Sequence, residues 1–293
     1  IADYESNPAF YIHDLTQQLL FQGSYAERSI AGSKETVSSI TRQDLYDFYS
    51  SRIAKSNMYV VVAGDIEFSY LCDLFNNAFD EDTTPLLTIS KPELIITEKE
   101  RVKIKQYKDT DQVYLSTSFK TCPYKNKDSK VLDVIKTIIG DGFSSSLFRK
   151  LRTENGLVYM IRVLSDCVFD RGYFSVFTST SKDRVQKVLD VLTTEFKRME
   201  PGNYTKDELD LAKNKIIKSK IREMQSSSSW IDSHISEIYF NPENTQDLSE
   251  ILNDIEKITL EDVVRVSKKY FSNDNLHIAM CGDIGEKDFV VNY

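Results

Sequence analysis

Apolar positions at three- and four-residue spacing mark the first predicted element. Phe10, Ile12, Leu15, Leu19 and Leu20 make one stripe across residues 8–22, which predicts an amphipathic helix. A helix of roughly 13 residues is expected after Thr41. The apolar run MYVVVAG at Met58–Gly64, bounded by Asn and Gly, predicts a buried strand. A helix is expected at Phe68–Phe79, and the polar, Pro-bearing stretch 81–100 shows no period and predicts a linker. The pattern then changes to alternation: VKIKQY and QVYLSTSF read as strands of a sheet with one covered face. A helix at Ser129–Ile139 ends at Gly140-Asp141-Gly142, and Ser144 or Ser145 is expected to cap a second helix over SSLFRKLRTEN. Strands at 157–166 and 172–180 join through Phe169–Gly172. Helices follow at 183–199, 205–225, 229–239 and 248–253. Clustered strands followed mostly by helices predict an α+β layer: a mostly antiparallel sheet with helices on one face.

The chain contains an internal repeat. Ile40–Ile66 aligns without a gap onto Ile258–Ile284, with identities at Ile40/Ile258, Thr41/Thr259, Asp44/Asp262, Asn57/Asn275, Gly64/Gly282, Asp65/Asp283 and Ile66/Ile284. Each copy reads as a Thr N-cap, an acidic residue in the first helical turn, a helix, a polar break and an apolar strand ending at Gly. The repeat implies two similar domains. Residues 1–80 are expected to be the C-terminal half of the first, and 101–293 the complete second. On that reading the chain starts inside a longer sequence, and strand 58–63 is missing its sheet partners. It should be covered by another chain or by the missing front piece.

Composition narrows the function. Hydrophobic residues are 41% and charged residues 28% of 293, the mix of a globular protein. The net charge of −8 argues against nucleic acid as the partner. No apolar run reaches the roughly 18 residues of a membrane span. Cys72, Cys122, Cys167 and Cys281 form no C-x-x-C pair and read as reduced thiols. His13, His234 and His277 are too dispersed for an H-x-x-E-H or related zinc motif, so no metal site and no cofactor site is expected in this chain. The compartment is left open, with the cytoplasm as the default.

The stretch GDGFSSSLFRKLRTENGLVY, Gly140–Tyr159, and the hairpin after it resemble the pitrilysin/insulinase-type metallopeptidases, the family that includes mitochondrial processing peptidase. The matching residues are Ser145, Leu147, Phe148, Leu151, Arg152, Gly156, Leu157, Tyr159, Gly172 and Phe174. The upstream segment ESNPAFYIHDLTQQLLFQGSYAERSIAGSKETVSSIT and Ala63–Asp65 are similar to the back half of that family's first domain. The resemblance implies two duplicated α+β domains facing each other across a chamber. It also implies zinc held by an inverted H-x-x-E-H motif and a distal Glu, all ahead of Ile1, so that zinc belongs to the intact parent or a partner. Two residues of the second domain are implied to reach the reacting peptide. Tyr159 would donate to the scissile carbonyl and Arg152 would hold substrate backbone.

Two functions follow from the resemblance. The chain is the C-terminal, substrate-binding portion of a zinc metalloendopeptidase for unfolded peptides, inactive alone. The alternative is an inactive family member that serves as binding partner of an active protease subunit, in a homo- or heterodimer. The expected partners are a peptide substrate and either the missing N-terminal portion or that subunit.

Overall fold

The computed structural model describes residues 1–79, 92–143, 145–240, 242–243 and 245–291. Its helices are α1 (Ala2–Ser6), α2 (Pro8–Leu20), α3 (Lys34–Ser39), α4 (Arg42–Arg52), α5 (Phe68–Ala78), α6 (Asp128–Gly140), α7 (Ser146–Phe148), α8 (Val185–Met199), α9 (Lys206–Glu223), α10 (Ser227–Phe240), α11 (Leu248–Lys257) and α12 (Leu260–Tyr270). The strands are β1 (Val102–Gln106), β2 (Val113–Lys120), β3 (Met160–Cys167), β4 (Gly172–Thr180) and β5 (Leu276–Gly282). Packing groups the described residues into two compact units. One holds Ile1–Ala31, Leu94–Ser219 and Gln246–Tyr293; the other holds Gly32–Glu93 and Lys220–Thr245.

The first unit is built on one five-stranded sheet of order β1-β5-β2-β4-β3. Only the β1–β5 pair is parallel; β5–β2, β2–β4 and β4–β3 are antiparallel. The α+β class expected from the pattern is what is found. Alternation along the strands divides the side chains between two cores. Leu115, Phe119, Phe174, Val176, Ile278 and Met280 enter the larger core with residues of α6, α8 and α12. Phe119 meets Phe196 and Phe271 edge to face, with centroids 5.0 and 5.1 Å apart, each pair adding ~1 kcal/mol beyond area burial.

Helices on one face were expected, but the opposite face is covered too. Ile12, Leu15 and Leu19 of α2 pack there with Phe177, Ala279 and Cys281. Small residues make that approach feasible: Ser116, Ser118 and Ser175 lie buried on this face, and their hydroxyls satisfy one another at 2.8 and 2.6 Å. β5, buried along all seven residues, therefore reads as a continuous apolar run and not as an alternating one. Only part of the expected linker 81–100 is described, residues 80–91 lying outside the described residues. Leu94 and Ile96 pack against Leu20, Phe21 and Ala26, and the Gln22 side chain holds the C-terminal end of the passage, accepting from Lys99 N at 3.0 Å and donating to Glu100 O at 2.7 Å.

In the second unit, the first copy of the repeat keeps the local geometry of the second. Thr41 and Asp44 form a reciprocal capping box at the start of α4, as Thr259 and Asp262 do at α12. A one-turn 3₁₀ helix follows in each, Lys55–Asn57 and Asn273–Asn275. The Asn57 amide donates to Arg52 O at 2.9 Å, and the Asn275 amide to Tyr270 O at 2.7 Å. Then the copies part. Residues 276–282 are a ladder-paired strand, whereas 58–63 are extended without assignment to a strand, and Tyr59, Val60 and Val62 are exposed. Local sequence specifies caps and turns; a strand also needs a neighbour.

Two carboxylates pin the first unit, Asp128 buried and Glu98 at the surface. Asp128 at the start of α6 accepts from Arg265 (2.7 Å), Lys269 (2.8 Å) and Tyr270 (3.0 Å) of α12. Glu98 accepts from Lys120 (2.5 Å) and Arg101 (3.0 Å) and faces the His277 ring at 3.0 Å. Burial pushes both carboxyls up, but these partners outweigh it. Both end below the usual carboxylate range, Glu98 at about 2. A carboxyl depressed in the folded state contributes stability above its unfolded value and loses it as pH falls toward the folded one. The denaturation midpoint of the chain is therefore expected to fall in two stages on acidification, first below about pH 6.5, where His13 and His277 are held neutral in the folded chain but charge in the unfolded one, and again between about pH 4.5 and 2 as the carboxyls protonate; equal midpoints at pH 3 and pH 7 would contradict this. A second expectation concerns Gly172, where an added Cβ would lie 2.2 Å from the Cys122 carbonyl oxygen. Gly172→Ala should cost about 2–3 kcal/mol or more in a denaturant titration. Gly64→Ala, with nothing within 4 Å of the new methyl, should stay within ~0.5 kcal/mol.

Candidate functional site

The segment from Ser145 to Tyr159 is one continuous support for the two residues singled out from the sequence. Ser145 precedes α7, and its hydroxyl donates back to Gly142 O at 2.8 Å; Ser144, the other expected cap, lies outside the described residues. A single helix over SSLFRKLRTEN was expected. Instead α7 gives way after one turn to a π-helical turn, Arg149–Glu154. The wider turn has a local cause. Leu151 is fully buried, and its carbonyl accepts from Leu157 N at 2.8 Å. Gly156 N donates to Arg152 O at 3.1 Å. This tight return requires Gly156 at φ +58°, a conformation that costs glycine little. Wide π turns are rare and frequently found at functional sites.

Arg152 lies on this turn with its side chain exposed, the guanidinium carbon 5.5 Å from the centre of the Phe148 ring. Phe148 in turn meets the exposed Phe143 edge to face at 5.1 Å. An open cleft of about 490 Å³ borders these rings, lined also by Lys136, Asp141, Ile161 and Arg162. Tyr159 stands one residue ahead of β3, which begins later than the strand expected from residue 157. Its backbone is held: Tyr159 N donates to Ser179 O at 2.8 Å, Thr180 Oγ1 to Leu157 O at 2.6 Å, and Arg184 Nη1 to Gly156 O at 2.9 Å. Its side chain is 54% exposed. Among the described residues, neither the Tyr159 hydroxyl nor the Arg152 guanidinium has a protein hydrogen-bond partner. A buried tyrosine with a satisfied hydroxyl, the ordinary fate of a strand Tyr, is thus not what this position holds. The arrangement can offer a phenolic donor and a guanidinium to a ligand without first breaking an internal bond.

Metal ligation has no such basis among the described residues. Among the described residues no group of three His, Cys, Asp or Glu side chains is placed to hold a metal ion. His13 packs on the Phe177 ring at 4.4 Å, and burial together with the nearby Arg162 charge keeps its pKa low. His234 pairs with Trp230 O at 2.9 Å, and His277 lies between Asn275 O and Glu98. All four cysteines are free. The donor set therefore does not fit zinc.

Glu195 was passed over in the sequence. It lies in α8, fully buried among Leu192, Phe196 and Met199, and accepts from Ser146, Lys150 and Arg198. A charged residue on the apolar face of a predicted helix was the available signal, because ionised side chains are almost never fully buried unless paired.

A family model described as the peptidase M16 inactive domain matches residues 39–216. An uncharacterized zinc protease of Bacillus subtilis is 24% identical over 277 residues, covering 92% of this chain and 65% of the relative. A non-peptidase homolog of Helicobacter pylori is 27% identical over 281 residues, covering 92% of this chain and 62% of its own length. The chain thus spans less than two thirds of either relative. The crystal structure of a peptidase M16 inactive domain from Pseudomonas fluorescens superposes with a TM-score of 0.83 over 97% of this chain and 67% of that one, at 19% identity, which speaks for the fold. A family match across more than half of the residues, on a five-stranded sheet of the same architecture, places this chain in the peptidase M16 inactive-domain family.

Proposed function

We propose that this chain is the C-terminal, substrate-binding portion of a zinc metalloendopeptidase that cleaves unfolded peptides in a closed chamber between two domains, and that it is inactive alone. The observation that carries this reading is the opposite burial of the two repeat copies. Val263, Val266 and Ser267 of α12 are 0% exposed against the first unit's core, while their counterparts Leu45, Phe48 and Tyr49 of α4 are 62%, 60% and 62% exposed. The same helix, with the same cap and the same following turn, lacks the sheet that its copy packs on. Apolar residues of α4 line an open groove of about 510 Å³. The division expected from the repeat, 1–80 in a first α+β domain, 81–100 linking and 101–293 as the second, is part of this proposal; packing itself groups Ile1–Ala31 with the sheet and Lys220–Thr245 with Gly32–Glu93. The missing sheet would come from the N-terminal portion of the same protein or from an active subunit. The zinc site would lie on that missing part.

The chemistry left to this chain is binding and charge stabilisation. A hydroxyl such as that of Tyr159 can donate to a peptide carbonyl as negative charge develops on its oxygen. Such a donor contributes most when aimed at the developing oxyanion in a water-excluded site. Arg152, with several N–H donors and a permanent charge, suits the carbonyls of an extended peptide. The relatives' printed names support both a protease and a non-peptidase reading; the exposed, unpaired Tyr159 and Arg152 favour the protease.

Two outcomes test this. In the longer parent protein, Tyr159→Phe should lower kcat/KM on dye-quenched unfolded casein roughly 10²-fold with little change in melting temperature; unchanged turnover would remove the oxyanion role. Phe48→Asp should change the stability of the present chain by less than ~0.5 kcal/mol and destabilise the parent by about 3 kcal/mol or more. Equal small effects in both would mean that nothing covers α4.

A further inference from the structure

Resting on the reading above, one buried group has no role in it. Glu195 occupies the apolar face of α8 at 0% exposure, where its neighbours are Leu192, Phe196 and Met199. An apolar residue there would satisfy packing, and a buried ion cluster is on average no more stabilising than a well-packed apolar replacement. The Glu195 partners show a different use. Two of them, Ser146 (2.5 Å) and Lys150, belong to α7 and the π turn. The third, Arg198, binds Glu195 through Nε at 3.0 Å and Nη2 at 2.7 Å. Through Nη1, Arg198 reaches Asn203 O at 2.8 Å and Glu208 at 3.2 Å, which anchors the carboxylate to the start of α9.

The direction of the turn does the rest. Ser146 and Lys150, four residues apart, face inward to Glu195, and Leu151 is buried beside them. Arg152, two residues beyond Lys150, faces out. Because a π turn makes wider, rarer backbone closures than an α-helix, side-chain ties decide where its outer face sits. Burial opposes ionisation of Glu195, yet the Arg198, Lys150 and Ser146 bonds hold its carboxyl below the usual range, so the tie is ionic near neutral pH.

We propose that Glu195 is a positioning residue: through Ser146 and Lys150 it fixes the turn Arg149–Glu154 so that Arg152 is held ready for the backbone of an extended peptide. Its loss should act on substrate handling through Arg152 and not independently of it.

The test is a double-mutant cycle in the full-length parent, with dye-quenched unfolded casein as probe. Glu195→Gln keeps the shape and removes the charge. It is expected to lower kcat/KM about tenfold, to reproduce part of the Arg152→Ala loss, and to add nothing further in the Arg152→Ala background. Hydrogen exchange in the present chain should show the Gly156 and Leu157 amides exchanging about tenfold faster in Glu195→Gln, with β2 and β4 amides unchanged. Should Glu195→Gln fail to fold, Lys150→Met removes one tie only, and the same non-additivity is expected of it. Losses that multiply with Arg152→Ala, or a silent Glu195→Gln beside a costly Arg152→Ala, overturn this inference and leave the proposed function standing. A silent Arg152→Ala overturns this inference together with the proposed peptide-binding role of Arg152.

Discussion

The constraint on which the first unit depends is a sheet whose three central strands must be dry on both faces. β5 is buried along its whole length, and β2 and β4 nearly so. Water cannot satisfy either face, so each needs its own cover. α6, α8 and α12 supply one layer, with Phe119 and Phe174 interlocking with Phe196 and Phe271. α2 supplies the other, and the serines beneath it are small enough to let a helix approach and polar enough to need one another. Asp128, a buried charge with its donors in place, then ties α6 to α12, and the exposed Glu98 ties the entering chain to β2 and β5 through Lys120 and His277.

On the proposed reading, that rigidity serves the exposed pair Arg152 and Tyr159. Both side chains face outward from backbone that is held at almost every residue from Leu151 to Tyr159. Preorganised donors stabilise developing charge without reorganising at the moment of reaction, and a site borne on packed elements is better defined than one on a free loop. The second unit differs. Its helices α3 and α4 are closed by capping boxes, yet apolar residues of α4 and α5 are exposed, and among the described residues its apolar run 58–63 has no ladder. Membership of the M16 inactive-domain family, and relatives longer than this chain, agree with a fold that is completed by more polypeptide.

Much of this was legible in the residues. Alternation placed β1, β2 and β4 within a residue or two, and the 3.6-residue period placed α2, α6, α8 and α12. The Thr-x-x-Asp boxes were readable because capping is an interaction among neighbours in sequence. The motif around Gly140–Tyr159 marked the candidate site. Less legible were the π turn, which follows from where Leu157 finds its acceptor, and the strand at 58–63, whose composition is that of a buried strand. Glu195 escaped because a lone Glu in a charged helix reads as solvated until its burial is known.

The sequence by itself thus determined the α+β class, the repeat, the caps and turns of both copies and the absence of a His-based zinc motif, while the candidacy of Arg152 and Tyr159 came from the resemblance carried by Gly140–Tyr159. The class, caps and turns rest on patterns among neighbours in the chain. Only the tertiary structure decided that α2 covers the second face of the sheet, that Asp128 and Glu195 are buried ion anchors, and that the two repeat copies differ in burial while agreeing in local shape. Those outcomes depend on which distant segment supplies the neighbour, and the free energy of a strand, a buried carboxylate or an apolar helix face is set by that neighbour.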